Sequence, residues 1–455
     1  MDITLKDKNG VTLHTAKKHC KEDITVRVDT QEIEITPSAT EQVEEGLFNK
    51  VTVQGDANLV PENIKIGTNI FGVEGGFDAV DTRDANAIAE DIVEGKTAYV
   101  NNMKLTGTMK PTTSNITKGF IVNECNENGY PIDISIVGMT EIPHKYFYNN
   151  DVGDGRKTWL QYCTTISLPD TLTKIGDNAF TDCDKWELKE LPEGITSIGA
   201  YAFTSCDNLA LTKLPSKITS LGNYVFSNCS KLLLAELPSG MTSLGQYTFN
   251  NCYELAITEI PDGITKIENN CFYNCKAMPL TKLPSRLASI GNYAFYTCTG
   301  LALTEIPDTV TTIGTEAFKY CGKLALTKLP DSLTTIGGNA FYQCTKINIT
   351  EIPEGVTQLQ SYTFYGCTGL TEITIKGILK TINTYAFRSC TNLQKVVIPN
   401  ITSVPTLGGT NAFTSTPIAS GTGYIYVPDD LVDSFKSATN WSTYANQIKG
   451  VSELV

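Results

Sequence analysis

A phenylalanine returns every 23 residues through more than half of the chain, and a cysteine stands three residues after each one. The phenylalanines are Phe180, Phe203, Phe226, Phe249, Phe272, Phe295, Phe318, Phe341, Phe364 and Phe387. The cysteines are Cys183, Cys206, Cys229, Cys252, Cys275, Cys298, Cys321, Cys344, Cys367 and Cys390. A fixed period in this range is the mark of a solenoid or an array of stacked units, not of a globular core assembled from distant segments.

Leu283 to Glu305 shows the unit. Leu283-Pro284 opens it, Leu287 and Ile290 are apolar and three apart, and Gly291 is expected to turn the chain. Ala294, Phe295 and Cys298 form the next inward group. Leu301 and Leu303 alternate at strand period, and Ile306 leads into Pro307 of the next unit. The proline column runs Pro169, Pro192, Pro215, Pro238, Pro261, Pro284, Pro307, Pro330 and Pro353. Proline has no backbone donor, so it suits a corner where a strand ends. One such unit buries too little apolar surface to offset the entropy of ordering its own backbone. Units must therefore stack, each covering its neighbours.

The pattern I/L-P-x-x-apolar-T-x-I-G-x-x-A-F-x-x-C-x-x-L closely resembles the BspA-like class of leucine-rich repeats. Ile306-Pro307 to Leu324 matches it at every fixed position. The resemblance covers 168–400 and implies a mainly β, right-handed leucine-rich-repeat solenoid of ten 23-residue units. It also implies a sheet along one face, and use in adhesion or recognition rather than catalysis.

The formal net charge of −13 argues against nucleic acid and against anionic membrane surfaces, both of which need basic footprints. No apolar run approaches the length of a membrane span, so membrane insertion is not expected. The start MDITLKDKNG has no apolar core and does not read as a secretory signal. Ten of the 14 cysteines occupy one repeat column, which reads as a ladder of free, buried thiols. Zinc would want CxxC pairs with histidine. No CxxC occurs, and His14, His19 and His144 are scattered. Gly95-Lys96-Thr97 is not a phosphate loop, because Glu90 stands where that loop needs glycine. No metal, cofactor or catalytic site is expected: a nucleophile needs a base within reach, and the histidines lie outside the ten-unit ladder.

Along the chain, residues 1–54 read as a β-rich module. Ile3–Leu5, Ile24–Val28, Ile33–Ile35 and Val51–Val53 alternate at strand period, and Asn9-Gly10 is a hairpin signal. Residues 55–110 hold two copies of a small motif, each reading as a helical turn, a glycine stop and a short hairpin. Residues 111–140 read as a linker and a hairpin turning at Asn126–Gly129. Residues 141–167 are a degenerate capping repeat (Ile142-Pro143, Phe147, Cys163, Ile166) interrupted at 149–155, and 168–400 are the solenoid. Residues 401–455 are a strand-plus-helix cap, with Asp429 as N-cap of a helix burying Leu431, Val432 and Phe435, and Trp441, Tyr444 and Ile448 extending that face.

Residues 58–75 and 89–109 resemble small repeated modules in tail and minor structural proteins of phages and prophages of Gram-positive bacteria. That resemblance implies assembly onto a virion tail as a homotrimer, with residues 1–110 contacting other tail proteins.

The outward columns are where function can sit. Two residues after the glycine position stand Tyr201, Tyr224, Tyr247, Tyr293, Tyr362 and Tyr385. Just after the phenylalanine stand Tyr273, Tyr296, Tyr342 and Tyr365, with Tyr320 one further on. Such a stripe suits sugar or protein contact, because ring bodies stack while hydroxyls bond. It equally suits a ladder that packs on its own neighbours and stiffens the stack. Glu190, Lys213, Glu236, Glu259, Lys282, Glu305, Lys328 and Glu351 form a second column of mostly alternating sign, read as a cross-strand charge ladder beside Thr258, Thr281, Thr304, Thr327 and Thr350.

The leading expectation is a phage or prophage tail-tip protein whose solenoid recognises a polysaccharide or protein of the host cell surface. The alternatives are a BspA-like adhesin of the bacterial surface and a non-catalytic protein-interaction scaffold. A signal peptide and wall anchor would favour the adhesin, and reduced cysteines would suit an intracellular scaffold.

Overall fold

The computed structural model describes residues 119–126, 131–147 and 159–454, with six short strands nearer the N-terminus. The chain divides into two compact units, 1–122 and 123–455, a break inside the stretch read as linker and hairpin.

In the first unit, β1 (Ile3–Lys6) pairs antiparallel with β2 (Thr12–Ala16); the turn read at Asn9-Gly10 lies outside the described residues. β3 (Glu22–Arg27) pairs in parallel with β4 (Phe48–Gln54). β5 (Thr97–Val100) and β6 (Met103–Thr106) form a hairpin in the second copy of the small motif. The strand read at Ile33–Ile35, the first motif copy, both helical turns and the interruption at 149–155 lie outside the described residues.

β7 (Gly119–Cys125), whose last three residues open the second unit, neighbours β8 (Pro131–Val137). β9 (Glu141–Ile142) joins the repeat sheet beside Lys174–Ile175, and β10 (Thr165–Ser167) runs parallel to β8. From there the chain winds as a mainly β solenoid of 23-residue turns, each with three legs.

The first leg is a proline turn followed by a two-residue strand. Each proline carbonyl accepts from the apolar residue three on, as Pro284 O does from Leu287 N at 3.1 Å. The next leg residues pair in parallel from turn to turn, Ser289–Ile290 with Thr312–Ile313 and that pair with Thr335–Ile336. Gly291 does not turn the chain by a left-handed conformation. Its role is close approach, since a Cβ there would stand 2.8 Å from the backbone nitrogen of Asn269 in the turn before.

The second leg carries the phenylalanine. Phe147, the ten repeat phenylalanines and Phe413 form one continuous column, each ring stacked on the next at 5.4–5.8 Å. All are fully buried. The cysteines beside them are free thiols that fill a second use: from Cys206 on, each donates its S–H to the phenylalanine carbonyl of the preceding turn. Cys298 Sγ reaches Phe272 O at 3.0 Å, and the same bond recurs from Cys206 to Cys390. The ladder is thus more than a row of small hydrophobes.

The third leg buries Leu301 and Leu303, and Ala302 N donates to Leu280 O at 3.1 Å. After β10 and a single parallel bridge at Glu259–Lys282, it becomes a continuous sheet from Glu351 on, where Glu351–Ile352, Glu372–Ile375, Lys395–Val397, Tyr424–Val427 and Ile448–Gly450 line up in parallel. The paired residues 351–352 and 373–375 fall in the frame of Thr304-Glu305-Ile306, just after the Leu301-Ala302-Leu303 alternation.

The charge column does not pair within itself among the described residues. Lys213 reaches Glu193 (3.4 Å), and Lys328 reaches Asp308 (3.8 Å) and Asp331 (3.1 Å), acids that follow the prolines. These exposed pairs contribute little, about 0–1 kcal/mol each.

The C-terminal cap holds α1 (Pro417–Ser420) and α2 (Val432–Ser437). Phe435, Trp441, Tyr444 and Ile448 are buried, while Leu431 and Val432 are only half-buried. Trp441 Nε1 donates to Pro405 O at 2.7 Å and the Tyr444 hydroxyl to Thr410 O at 2.6 Å, closing the last turn. Asp429 does not cap the helix. Its Oδ1 accepts from the Ser452 hydroxyl at 2.7 Å and ties down the chain end instead.

Candidate functional site

The tyrosines sit on the phenylalanine leg, and its backbone explains their direction. The residues two before and two after each repeat phenylalanine are left-handed, with φ between 54° and 67°. Tyr201, Tyr224, Tyr247, Tyr293, Tyr362 and Tyr385 occupy the first of these positions and Tyr320 the second. A bulky residue there is strained by about 1–2 kcal/mol. The strain is held by hydrogen bonds to the next turn: Tyr224 N to Gln246 O at 2.9 Å, Phe226 N to Thr248 O at 2.9 Å, and Asn228 N to Asn250 O at 2.7 Å.

Ring stacking supplies the compensation. Tyr201, Tyr224 and Tyr247 stack at 4.6 and 4.4 Å, nearly parallel. Tyr224→Ala keeps the strain and removes both stacks, each contributing about 0.5–1.5 kcal/mol, so a loss of about 2 kcal/mol is expected. Tyr224→Asn, a residue that takes this conformation more readily, should lose about half as much. Chemical denaturation of the two variants measures the difference, and equal losses would show that backbone strain plays no part.

In the C-terminal half the two tyrosine columns merge. Tyr273 and Tyr296 stack at 4.6 Å, Tyr342 and Tyr365 at 4.5 Å, and Tyr362 and Tyr385 at 4.7 Å. Tyr293 touches Tyr296, and Tyr362 touches both Tyr342 and Tyr365. Tyr320 stands on edge between Tyr296 and Tyr342 and is 39% exposed. Eight of the eleven tyrosines thus form one contiguous patch, and Tyr201, Tyr224 and Tyr247 form a separate run. Tyr201 is also 39% exposed, and the others are half-buried.

Lys319 and Glu316 belong to this patch and were not singled out as tyrosine neighbours from the sequence. Lys319 fills the column position between Tyr296 and Tyr342, its ammonium 4.9 Å from the Tyr342 centroid, 5.5 Å from Tyr320 and 5.7 Å from Tyr296. Glu316 Oε2 pairs with it at 3.0 Å, both side chains being less than a fifth exposed. Burial works to lower the Lys319 ammonium, but Glu316 outweighs it and holds the pKa above the ordinary lysine value. Burial, and then the neighbouring tyrosine, raises the phenols of Tyr224, Tyr273 and Tyr342, so they stay neutral donors at physiological pH. The signal for Lys319 was present in the repeat, because it interrupts a column of tyrosines.

The geometry alters what the stripe can do. Within the stacked pairs the ring faces lie against one another, so a partner meets ring edges and hydroxyls. Tyr320, set on edge, departs from that pattern. Beside this leg, Asn274 donates to Asn251 Oδ1 at 3.0 Å and Asn251 to Asn228 Oδ1 at 2.9 Å, so those amides are tied to each other. Shallow grooves of about 440 and 520 Å³ run along the proline leg, lined by Thr258, Glu259, Lys282, Thr304, Glu305 and Lys328 among others. Their charges are mixed in sign and do not converge. Among the described residues no group of three or more His, Cys, Asp and Glu could hold a metal, and no helix is long and apolar enough to cross a membrane.

The chain is similar in fold to several solved leucine-rich repeat structures. A leucine-rich cell surface protein from Faecalibacterium prausnitzii shares 25% identity, over 68% of this chain and 86% of that one, with a TM-score of 0.43. The pneumococcal vaccine antigen PcpA shares 19%, over 79% and 86%, at 0.39. The leucine-rich repeat protein of T. pallidum shares 20%, over 52% and 91%, at 0.28. No curated protein matches the chain. The family model for the BspA-type leucine-rich repeat region matches residues 158–279 and 288–419, in six copies. These two stretches take in more than half of the chain and coincide with the turns built on the phenylalanine and cysteine columns. The chain therefore belongs to the BspA-type leucine-rich repeat family.

Proposed function

We propose that the solenoid is a non-catalytic recognition module that binds a polysaccharide or protein of a bacterial cell surface through its tyrosine patch. The observation that carries this reading is the contiguous, partly exposed patch of eight tyrosines around the Glu316–Lys319 pair. Tyrosine-rich surfaces of this kind offer large, rigid contact area at low entropic cost, with hydroxyls at the rim. An adhesin of the bacterial surface is the placement that the repeat family and its surface-protein neighbours fit. The tail-tip placement, with residues 1–110 holding a homotrimer against other tail proteins, rests on the sequence of 58–75 and 89–109 alone. The family match does not extend to those residues.

The test exploits the protein's own repeat. The column of Tyr296, Tyr342 and Tyr365 holds Thr181 and Thr204 in earlier turns, where the hydroxyls donate to Tyr201 O (2.9 Å) and Tyr224 O (2.7 Å). The triple variant Tyr296→Thr, Tyr342→Thr, Tyr365→Thr should therefore fold. Its binding to intact Gram-positive cells is expected to fall by about tenfold or more. Binding equal to the unaltered protein would overturn the patch as the recognition surface and leave the repeats as a spacer. Molar mass by light scattering separates the placements, a trimer supporting the tail-tip form.

A further inference from the structure

Arg388 stands in the column that carries Tyr342 and Tyr365 in the two turns before it. Its guanidinium carbon lies 5.1 Å from the Tyr385 ring centroid. Lys319, the other cation of this column, is already neutralised by Glu316. Arg388 has no such partner. Between Gly355 and Pro428 the chain carries four bases, Lys376, Lys380, Arg388 and Lys395, against one acid, Glu372. Glu372 pairs with Lys395, and Lys376 pairs with Glu351. In a chain of net charge −13 these last turns are a local positive excess, and its aromatic-flanked member is Arg388.

A second observation comes from hydrogen bonding. Among the described residues, two buried side-chain nitrogen or oxygen atoms have no hydrogen-bond partner: Arg388 Nε, a donor, and Asn411 Oδ1, an acceptor. They lie on the same leg of successive turns, Asn411 following Tyr385 in its column. No protein acceptor holds the Arg388 Nε, which is itself shut off from solvent, so an outside partner would meet the guanidinium through its Nη groups. A planar guanidinium laid on an aromatic ring keeps its fork oriented, and that fork matches the paired oxygens of a phosphate or carboxylate.

We infer that Arg388, with Tyr365 and Tyr385 beside it, is a subsite for an anionic group, phosphate or carboxylate, borne by the partner of the tyrosine patch. This rests on the recognition reading above and names the chemistry at one end of that patch. The net acidity of the protein repels anionic polymers in general, so binding there depends on this one cation rather than on a diffuse basic field.

The test is titration of the full-length protein with inorganic polyphosphate, with polygalacturonate and with neutral dextran, followed by calorimetry at two salt concentrations. Binding of either charged polymer, weakened by salt, with none of dextran, is expected. Arg388→Gln should lose about tenfold in affinity. Arg388→Lys, which keeps the charge without the fork, should lose less, and Lys380→Gln should change little. Polyphosphate alone binding assigns phosphate, polygalacturonate alone assigns carboxylate, and both binding assigns charge recognition without discrimination. Binding of neither, or an unchanged affinity in Arg388→Gln, overturns the subsite. If Arg388→Gln were to misfold, Arg388→Lys decides, since unchanged affinity there removes the role of the fork. The triple tyrosine variant reads separately: lost cell binding with an inert Arg388 sinks the subsite alone, whereas lost anion binding in Arg388→Gln with intact cell binding of the triple variant sinks the patch reading alone.

Discussion

Taken from pH 8 to about pH 11, the solenoid is expected to lose its stability and unfold, because most of its buried thiols cannot ionise in place. A free cysteine titrates near about 8.5. Burial pushes Cys163 and Cys390 up to about 12, and desolvation drives Cys252, Cys298, Cys321, Cys344 and Cys367 higher than an ordinary thiol as well. Between the unfolded and folded values the unfolded chain has released protons that the native chain still holds. Stability therefore falls as pH rises, by about 1.4 kcal/mol per pH unit for each such thiol, and the contribution is intact below about pH 8. Several thiols acting together over one or two units exceed the roughly 5–15 kcal/mol that holds a typical domain. The half-buried phenols of Tyr224, Tyr273 and Tyr342, also raised, act in the same direction. Guanidinium midpoints followed by circular dichroism at pH 8, 9, 10 and 11 measure this. A midpoint that stays level to pH 11 would falsify the thiol account. Cys298→Ala assigns the slope: at pH 7 it should cost about 1–2 kcal/mol through the lost bond to Phe272 O and a small cavity. Above pH 9 the same variant should show a gentler decline, by one thiol's share.

Phe295→Ala at the centre of the ring column is expected to cost about 3–5 kcal/mol. Phe295 is fully buried and stacks on Phe272 and Phe318, at 5.4 Å on both sides and within 5° of parallel. Its removal opens a cavity at the centre of the stack, beside the buried Leu287, Ile290, Leu301 and Leu303 of the same turn. In a stack where each turn touches only its neighbours, a defect at one turn weakens the interface on either side. Denaturant unfolding of the variant measures the cost. A cost at Phe295 below about 1 kcal/mol would mean that the ring column does not hold the turns together.

Much of the architecture was legible in the residues. The period, the proline corners and the phenylalanine and cysteine columns all follow from one 23-residue alignment, because every unit in a stack must solve the same packing problem. Where reading by residue type went astray, the cause was local. Gly291 reads as a turn residue, but it answers a backbone of the preceding turn that is far away in sequence. Leu301 and Leu303 alternate like a strand, yet the paired strands of this leg lie just after that frame, at Glu351–Ile352 and Glu372–Ile375. Asp429 stands where a helix cap should, but Ser452 takes its oxygen. The lysines of the charge column turn to the acids behind the prolines, since exposed side chains follow the nearest carboxylate rather than the column.

For the candidate site the division is sharper. The sequence alone determined that tyrosines recur in two outward columns and thicken toward the C-terminal half, because a repeat fixes which direction each position faces. Only the tertiary structure decided that the positions before the phenylalanine are left-handed, and that eight tyrosines close into one patch. It also decided that Lys319 is caged and neutralised there while Arg388 is left without an acid. The physical reason is that a column sets the direction of a side chain, whereas its partners lie on the next turn, and which ring, charge or carbonyl stands there is settled when the turns stack.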